Sequence, residues 1–91
     1  MFRISHEPRQ LGITMSATLE NIDLACQEAR VFLQERLPSQ ETFAVLLGLR
    51  EALSNAVIHG SGQDPDKQVL ASIGIQDEEM ILSVEDHGPG F

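Results

Sequence analysis

The hydrophobic and polar positions of the chain alternate every two residues near both ends and recur every three or four residues in the middle. Residues 2–15 alternate in two runs around a Glu-Pro-Arg turn, which predicts two strands. Residues 17–37 carry apolar side chains at steps of three and four, which predicts an amphipathic helix with an acidic outer side. Residues 69–86 alternate again on both sides of Asp-Glu-Glu, which predicts a β-hairpin.

A second helix is predicted over the run at 43–58, which is apolar almost all the way round. Pro38 ends the first helix, and Ser39 is expected to cap the second. Gly60 is expected to end the second helix in a left-handed conformation. A helix that is apolar on every side is normally buried on every side, so we expect this one to be buried all round.

Three polar residues interrupt this apolar helix at a regular spacing. Glu51, Asn55 and His59 are four residues apart and therefore share one face. A carboxylate, an amide and an imidazole on a buried helix need hydrogen-bonding partners. We therefore expect this stripe to face a cavity that holds a polar ligand. The alternative is that it faces solvent or a subunit interface.

Asp86 continues the apolar side of the last predicted strand, since positions 80, 82, 84 and 86 share one face. A carboxylate there can accept a hydrogen bond from an exocyclic amine such as that of adenine, and the glycines at 88 and 90 let a ligand approach the backbone closely. The amide of Asn55 suits a Mg²⁺ ion that also holds phosphates. Glu51 could orient or deprotonate a hydroxyl that attacks a γ-phosphate. By itself, the Gly-Pro-Gly run is more typical of an ordinary turn that ends a strand, and only its combination with the helix stripe favours a ligand site.

Composition narrows the class of protein. The 91 residues are enough for one small domain, and 42% are apolar. A net charge of −8 argues against nucleic acid or an anionic membrane as a partner. No apolar run approaches membrane-spanning length and no leader pattern is visible. Cys26 is the only cysteine and is expected to be a small core residue, so we expect a cytoplasmic protein without an internal disulfide.

Two motifs carry a family resemblance. The run at 51–60, Glu-x-x-x-Asn-Ala-x-x-His-Gly, resembles the N box of the GHKL ATPase/kinase superfamily, and the run at 86–90, Asp-x-Gly-x-Gly, resembles its G1 box. The form of the N box is most similar to that of the anti-sigma-factor serine kinases, because histidine kinases usually carry Asn where Glu51 stands. The resemblance spans roughly residues 10 to 91.

The resemblance implies a role for each matching residue. Glu51 would be the catalytic base or water-orienting residue, and Asn55 would be the Mg²⁺ ligand. Asp86 would bind the amino group of adenine. The residues implied to bind the nucleotide are Asn55, His59, Asp86, Gly88 and Gly90.

The same resemblance implies an α+β fold, a two-layer α/β sandwich of the Bergerat type with helices on one face of a mixed, mostly antiparallel sheet. Residues 1–91 would form one partial ATP-binding domain, because the family's lid and second glycine box (G2) have no counterpart in this sequence. The chain would then be a fragment or a natural truncation, inactive alone, and its unfinished sheet would favour a homodimer.

The implied function is that of the ATP- and Mg²⁺-binding domain of a bacterial anti-sigma-factor kinase. Such a protein sequesters a sigma factor and transfers the γ-phosphate to a Ser or Thr of an antagonist protein. Two alternatives are the ATP-binding domain of a sensor histidine kinase, which would need a phosphoacceptor helix upstream, and a nucleotide- or protein-binding module without catalysis.

Overall fold

The computed structural model describes residues 1–87, in which four strands and two helices follow one another in the predicted order. The elements are β1 (Phe2–Glu7), β2 (Gln10–Ser16), α1 (Leu19–Gln34), α2 (Ser39–Ser54), a π-helical turn (Asn55–Gly60), β3 (Gln68–Gln76) and β4 (Glu79–His87). The predicted α+β class is confirmed. Within this part of the chain, neither helix combines the length and hydropathy that crossing a bilayer requires.

The strands form one sheet in the order β1-β2-β3-β4, and each pair is antiparallel. The described sheet is thus antiparallel throughout, where a mixed, mostly antiparallel sheet was expected. Alternate residues of β2 and β3 are buried on one face, and they join the inner sides of both helices in a single apolar core. The sheet and the helices therefore form two layers, and residues 1–87 leave the opposite sheet face open.

Helix α1 is amphipathic, as its pattern predicts. The Thr18 hydroxyl caps its first turn by accepting a hydrogen bond from the backbone N–H of Asn21 at 3.4 Å. The buried Asn21 amide donates to the carbonyls of Met1 (3.1 Å), just before β1, and Ser16 (2.9 Å), at the end of β2, which fixes the helix to this edge of the sheet. Cys26 lies in the core, 8% exposed, as expected.

Helix α2 differs from its prediction at both ends. Pro38, not Ser39, occupies the N-cap position, and no side chain caps the helix there. At the other end Gly60 is not left-handed. The left-handed glycine is Gly62, with a φ of 60°, because the helix continues through a π-helical turn before the chain reverses.

The prediction that α2 is buried on every side is wrong. Leu49 and Leu53 are fully buried, but Phe43 is 63% exposed and Leu47 is 54% exposed on the outer side. In a two-layer fold a helix on the sheet is covered from one side only, so its second apolar side faces outward.

Candidate functional site

The N-box residues lie on the outer side of α2 and its continuation. Glu51 is in the last turn of α2, Asn55 begins the π-helical turn and His59 lies near its end. The backbone N–H of Ser61 donates to the carbonyl of Ala56 at 2.8 Å, one residue further back than in an α-helix. A π-helical turn is rare and occurs frequently at functional sites, so it singles out this segment.

All three side chains of the stripe are exposed. Glu51, Asn55 and His59 face outward, so the expected enclosed cavity is not found at them within residues 1–87. Two concave regions of the described surface lie elsewhere. A groove of about 450 Å³ lies on the open face of the sheet, and one of about 330 Å³ lies beside the β1–β2 and β3–β4 turns. The exposure of these three side chains agrees equally with the alternative that the stripe faces solvent and binds no ligand.

Asp86 supplies the observation that links the two motifs. It lies on β4 directly opposite the buried Val69 of β3, so it is on the helix side of the sheet, as predicted. Its carboxylate is exposed, because the core ends at this position. A Cβ atom built on Gly60 would fall 2.7 Å from Asp86 Cγ and 3.3 Å from its Cβ. The last residue of the N box therefore lies directly against the first residue of the G1 box.

Pairing within the sheet explains this contact. The whole of β4 is held by β3, with Gln68 opposite His87 at the last pair. The C-terminal end of β4 is thereby brought beneath the π-helical turn, against which it packs. Gly88 and Gly90, the other predicted G1-box residues, lie outside the described residues.

Ser61 is a residue that the sequence did not single out. It follows Gly60, is 2% exposed, and its hydroxyl has no hydrogen-bond partner among the described residues. Buried hydroxyls are nearly always hydrogen-bonded, so an orphaned one next to the Gly60–Asp86 contact fits a place where water or a ligand group binds. Its only signal in the sequence is its position directly after the N box.

Arg50, the cation nearest to Glu51 in the sequence, is paired with another residue. The guanidinium of Arg50 donates to Asp23 of α1 at 3.0 Å, and this hydrogen bond raises the pKa of Arg50. The carboxylate of Glu51 and the amide oxygen of Asn55 remain on the exposed side of the helix, one turn apart.

The amide oxygen of Asn55 fits a Mg²⁺ ion that arrives with a nucleotide. Among the described residues no group of three or more His, Cys, Asp or Glu side chains could hold a metal by itself. Mg²⁺ is usually held by one or two protein oxygens together with phosphates and water, so the amide oxygen of Asn55 would suffice as the protein's share. The donor set does not fit a free-standing metal site.

The sequence as a whole decides the family. The sequence model of the family described as histidine kinase-like ATPase domain matches residues 15–91. The chain belongs to this family. It is a family of ATP-binding domains, and the resemblance drawn from the two motifs is confirmed.

Among related proteins, the chain is similar to anti-sigma F factors. It is 30% identical over 83 residues to that of Shouchella clausii, covering 90% of this chain and 57% of the relative. It is 32% identical over 83 residues to that of Geobacillus thermodenitrificans, with the same coverage. It is also 32% identical over 83 residues to that of Clostridium perfringens, covering 90% of this chain and 59% of the relative. This histidine kinase-like ATPase domain thus spans well under two thirds of the length of these relatives.

Proposed function

We propose that this chain is the nucleotide-binding part of a regulatory protein kinase of the anti-sigma-factor type. It binds Mg²⁺ and ATP, and the whole protein transfers the γ-phosphate to a Ser or Thr of an antagonist protein. The observation that carries the proposal is the contact between Gly60 and Asp86, because it joins the two motifs into one site. The family match and the names of the relatives support it.

Asp86 is the residue that recognises the base. Its exposed carboxylate accepts a hydrogen bond from the exocyclic amine of adenine. Guanine presents a carbonyl oxygen at the same place, which a carboxylate repels. Gly88 and Gly90 shape the pocket on the side of the base, and His59 contacts the nucleotide from the end of the helix. The domain therefore prefers ATP to GTP.

Asn55 and Glu51 act at the phosphates. The amide oxygen of Asn55 holds the Mg²⁺ ion, which when bound neutralises the charge of the phosphate oxygens. Glu51, one turn earlier, orients the attacking hydroxyl and accepts its proton. Their exposed position in residues 1–87 leaves room for both the phosphates and a second protein.

The partners proposed for the whole protein are a sigma factor and a regulatory antagonist, in the cytoplasm. The relatives' name, anti-sigma F factor, supports this class of partner. The exposed apolar side chains of Phe43 and Leu47, on the same side of α2 as Glu51, also support a surface that binds another protein.

Calorimetric titration of Mg·ATP into the chain tests nucleotide binding. We expect saturable binding that weakens by about 10- to 100-fold in Asp86→Asn, because the variant keeps the shape but replaces a charged acceptor. GTP should bind far more weakly than ATP to the unchanged protein. Equal affinity of Asp86→Asn and the unchanged chain would show that Asp86 does not bind the base.

Release or transfer of the γ-phosphate by the whole protein tests the role of Glu51. We expect Glu51→Ala to reduce the rate by about 10²-fold or more while ATP still binds. Glu41→Gln, an exposed acid in the first turn of the same helix, is the matched control and should leave the rate unchanged. Unchanged transfer in Glu51→Ala would show that another group is the base.

A second candidate function, protein binding without phosphoryl transfer, is favoured by the exposed apolar side of α2. A chain that is well folded by circular dichroism but binds no Mg·ATP would support this candidate and contradict the first.

A further inference from the structure

A glycine is needed at position 60 because there is no room for a side chain, and not because the backbone conformation excludes other residues. Its φ is not in the left-handed region, since Gly62 is the only described glycine with a positive φ. Any larger residue could therefore adopt its backbone conformation. What excludes a side chain is Asp86, whose carboxylate occupies the position that a Cβ atom would take.

Two other glycines show the contrast. Gly48, in the middle of α2, has no atom within 4 Å of a built Cβ, so nothing around it requires a glycine. Gly62 also has open space around it, but its φ of 60° is strained for any residue with a side chain. Gly60 alone among these three has an ordinary φ and no room.

The backbone of Asp86 cannot withdraw from this contact. It is held in the ladder between β3 and β4, opposite Val69, which is fully buried in the core. A side chain at position 60 would instead rotate the Asp86 side chain about its own bonds. The carboxylate is exposed and finds water in another rotamer, so the fold loses little while the position of the charge changes.

We propose that Gly60 is a positioning residue for Asp86. Its missing side chain lets the carboxylate lie against the end of the N-box helix, and this sets where the amine of adenine is accepted. Gly60 thereby determines the preference for ATP over GTP without touching the nucleotide. The inference rests on the proposed nucleotide site and assigns its base selectivity to a contact between the two motifs.

The test compares Gly60→Ala with Gly62→Ala by titration with Mg·ATP and Mg·GTP. We expect Gly60→Ala to weaken ATP binding by about tenfold or more and to reduce the ATP-to-GTP affinity ratio by a similar factor, because small misplacements of a binding group have large effects. Gly62→Ala should lower thermal stability through its strained φ but keep the ratio. An unchanged ratio in Gly60→Ala would overturn the inference.

A double-mutant cycle separates positioning from a general structural effect. If Gly60 acts through Asp86, Gly60→Ala has no further effect on ATP affinity in an Asp86→Ala background. An equal loss in both backgrounds would overturn the inference. Should Gly60→Ala fail to fold, the double variant should fold, since the obstructing carboxylate is gone. Unfolding of both would contradict the steric account.

A second readout needs no nucleotide. The carboxyl carbon resonance of Asp86 in the free chain should move in Gly60→Ala and stay in place in Gly62→Ala. If the unchanged chain does not bind Mg·ATP, the proposed function fails. The carboxyl resonance still decides whether Gly60 positions Asp86, so the two failures are distinguishable.

Discussion

Two buried side chains, Ser61 and Cys26, carry polar or ionisable atoms in surroundings that offer them few partners. The Ser61 hydroxyl has no hydrogen-bond partner among the described residues. The Cys26 thiol lies in the core between α1 and its neighbours. Because both groups are buried, the free energy of unfolding should depend on whether the Ser61 hydroxyl is present and on whether the Cys26 thiol is ionised.

Ser61→Ala is expected to stabilise the free chain. The variant removes a buried hydroxyl that is left without a partner, and such a group costs about 1–3 kcal/mol. We expect the free energy of unfolding in urea to rise by about 1 kcal/mol. Ser54→Ala, at a half-buried position with helical geometry, is the control and should change it less. A clear loss of stability in Ser61→Ala would show that the hydroxyl has a partner in solution.

Cys26 should make stability fall at alkaline pH. Burial raises the pKa of the Cys26 thiol, and the charge of Arg50 opposes this only in part. As the pH rises past the ordinary thiol value of about 8.5, the unfolded chain releases its proton first and is favoured. The contribution of the neutral Cys26 thiol to folding stability is therefore complete below that pH. It is lost as the pH rises toward the raised pKa of the thiol in the folded state.

Urea unfolding of the unchanged chain and of Cys26→Ala at a series of pH values tests this. The two curves of unfolding free energy should run parallel below about pH 8, and the unchanged chain should fall more steeply above it. Parallel curves throughout would mean that the thiol ionises equally in both states.

Among the elements, the C-terminal end of α1 is held by one side chain, Arg36. Its guanidinium donates to the carbonyl of Phe32 at 2.6 Å and to that of Pro8 at 2.9 and 3.2 Å. It also lies 3.9 Å from the centre of the Phe32 ring. The β1–β2 turn is thus joined to the end of the helix by a planar group with several donors.

Arg36→Lys is expected to destabilise the fold by about 1–2 kcal/mol, because an ammonium group cannot make these hydrogen bonds together or stack on the ring. Arg30→Lys, an exposed position on the same helix, should change the unfolding free energy by less than about 0.5 kcal/mol. Thermal unfolding of the two variants checks this. Equal midpoints would show that the Arg36 contacts contribute little in solution.

The six regular elements could be predicted from the sequence because their signals are local. Alternation gave β2 and β3, and steps of three and four gave α1. The exposed side of α2 could not be predicted, because periodicity shows that a face is apolar but not whether another layer covers it. The π-helical turn could not be predicted either, since helical periodicity does not distinguish a hydrogen bond to residue i−5 from one to residue i−4.

The candidate site could be predicted only in part. The stripe of Glu51, Asn55 and His59 and the direction of Asp86 followed from helical and strand periods. The orphaned hydroxyl of Ser61 and the contact of Gly60 with Asp86 required the tertiary structure, because they join residues far apart in the chain.

At the scale of the whole molecule, apolar side chains remain outside the core. Phe43 and Leu47 lie one turn apart on the outer side of α2, and β1 and β4 are the edge strands of the described sheet. Unpaired strand edges and exposed apolar patches both favour association. We therefore predict that this chain self-associates through these surfaces.

Sedimentation velocity should show association that increases with protein concentration. We expect the double variant Phe43→Ser and Leu47→Gln to reduce it while leaving stability nearly unchanged, because both side chains are exposed. Leu19→Gln, equally apolar and 48% exposed at the start of α1, is the control and should reduce it less. A chain that stays monomeric at all concentrations would contradict this prediction.

The π-helical turn also determines where one residue can be removed from the helix without disturbing the fold. A one-residue deletion between Asn55 and Gly60 would allow ordinary α-helical hydrogen bonds to form there, and the segments on either side could keep their neighbours. The same deletion between Glu51 and Asn55 would rotate everything before it by about 100°, turning these two residues to different sides. A deletion within the π-helical turn would also change the spacing of the N box, so we expect it to leave the fold intact and to weaken nucleotide binding.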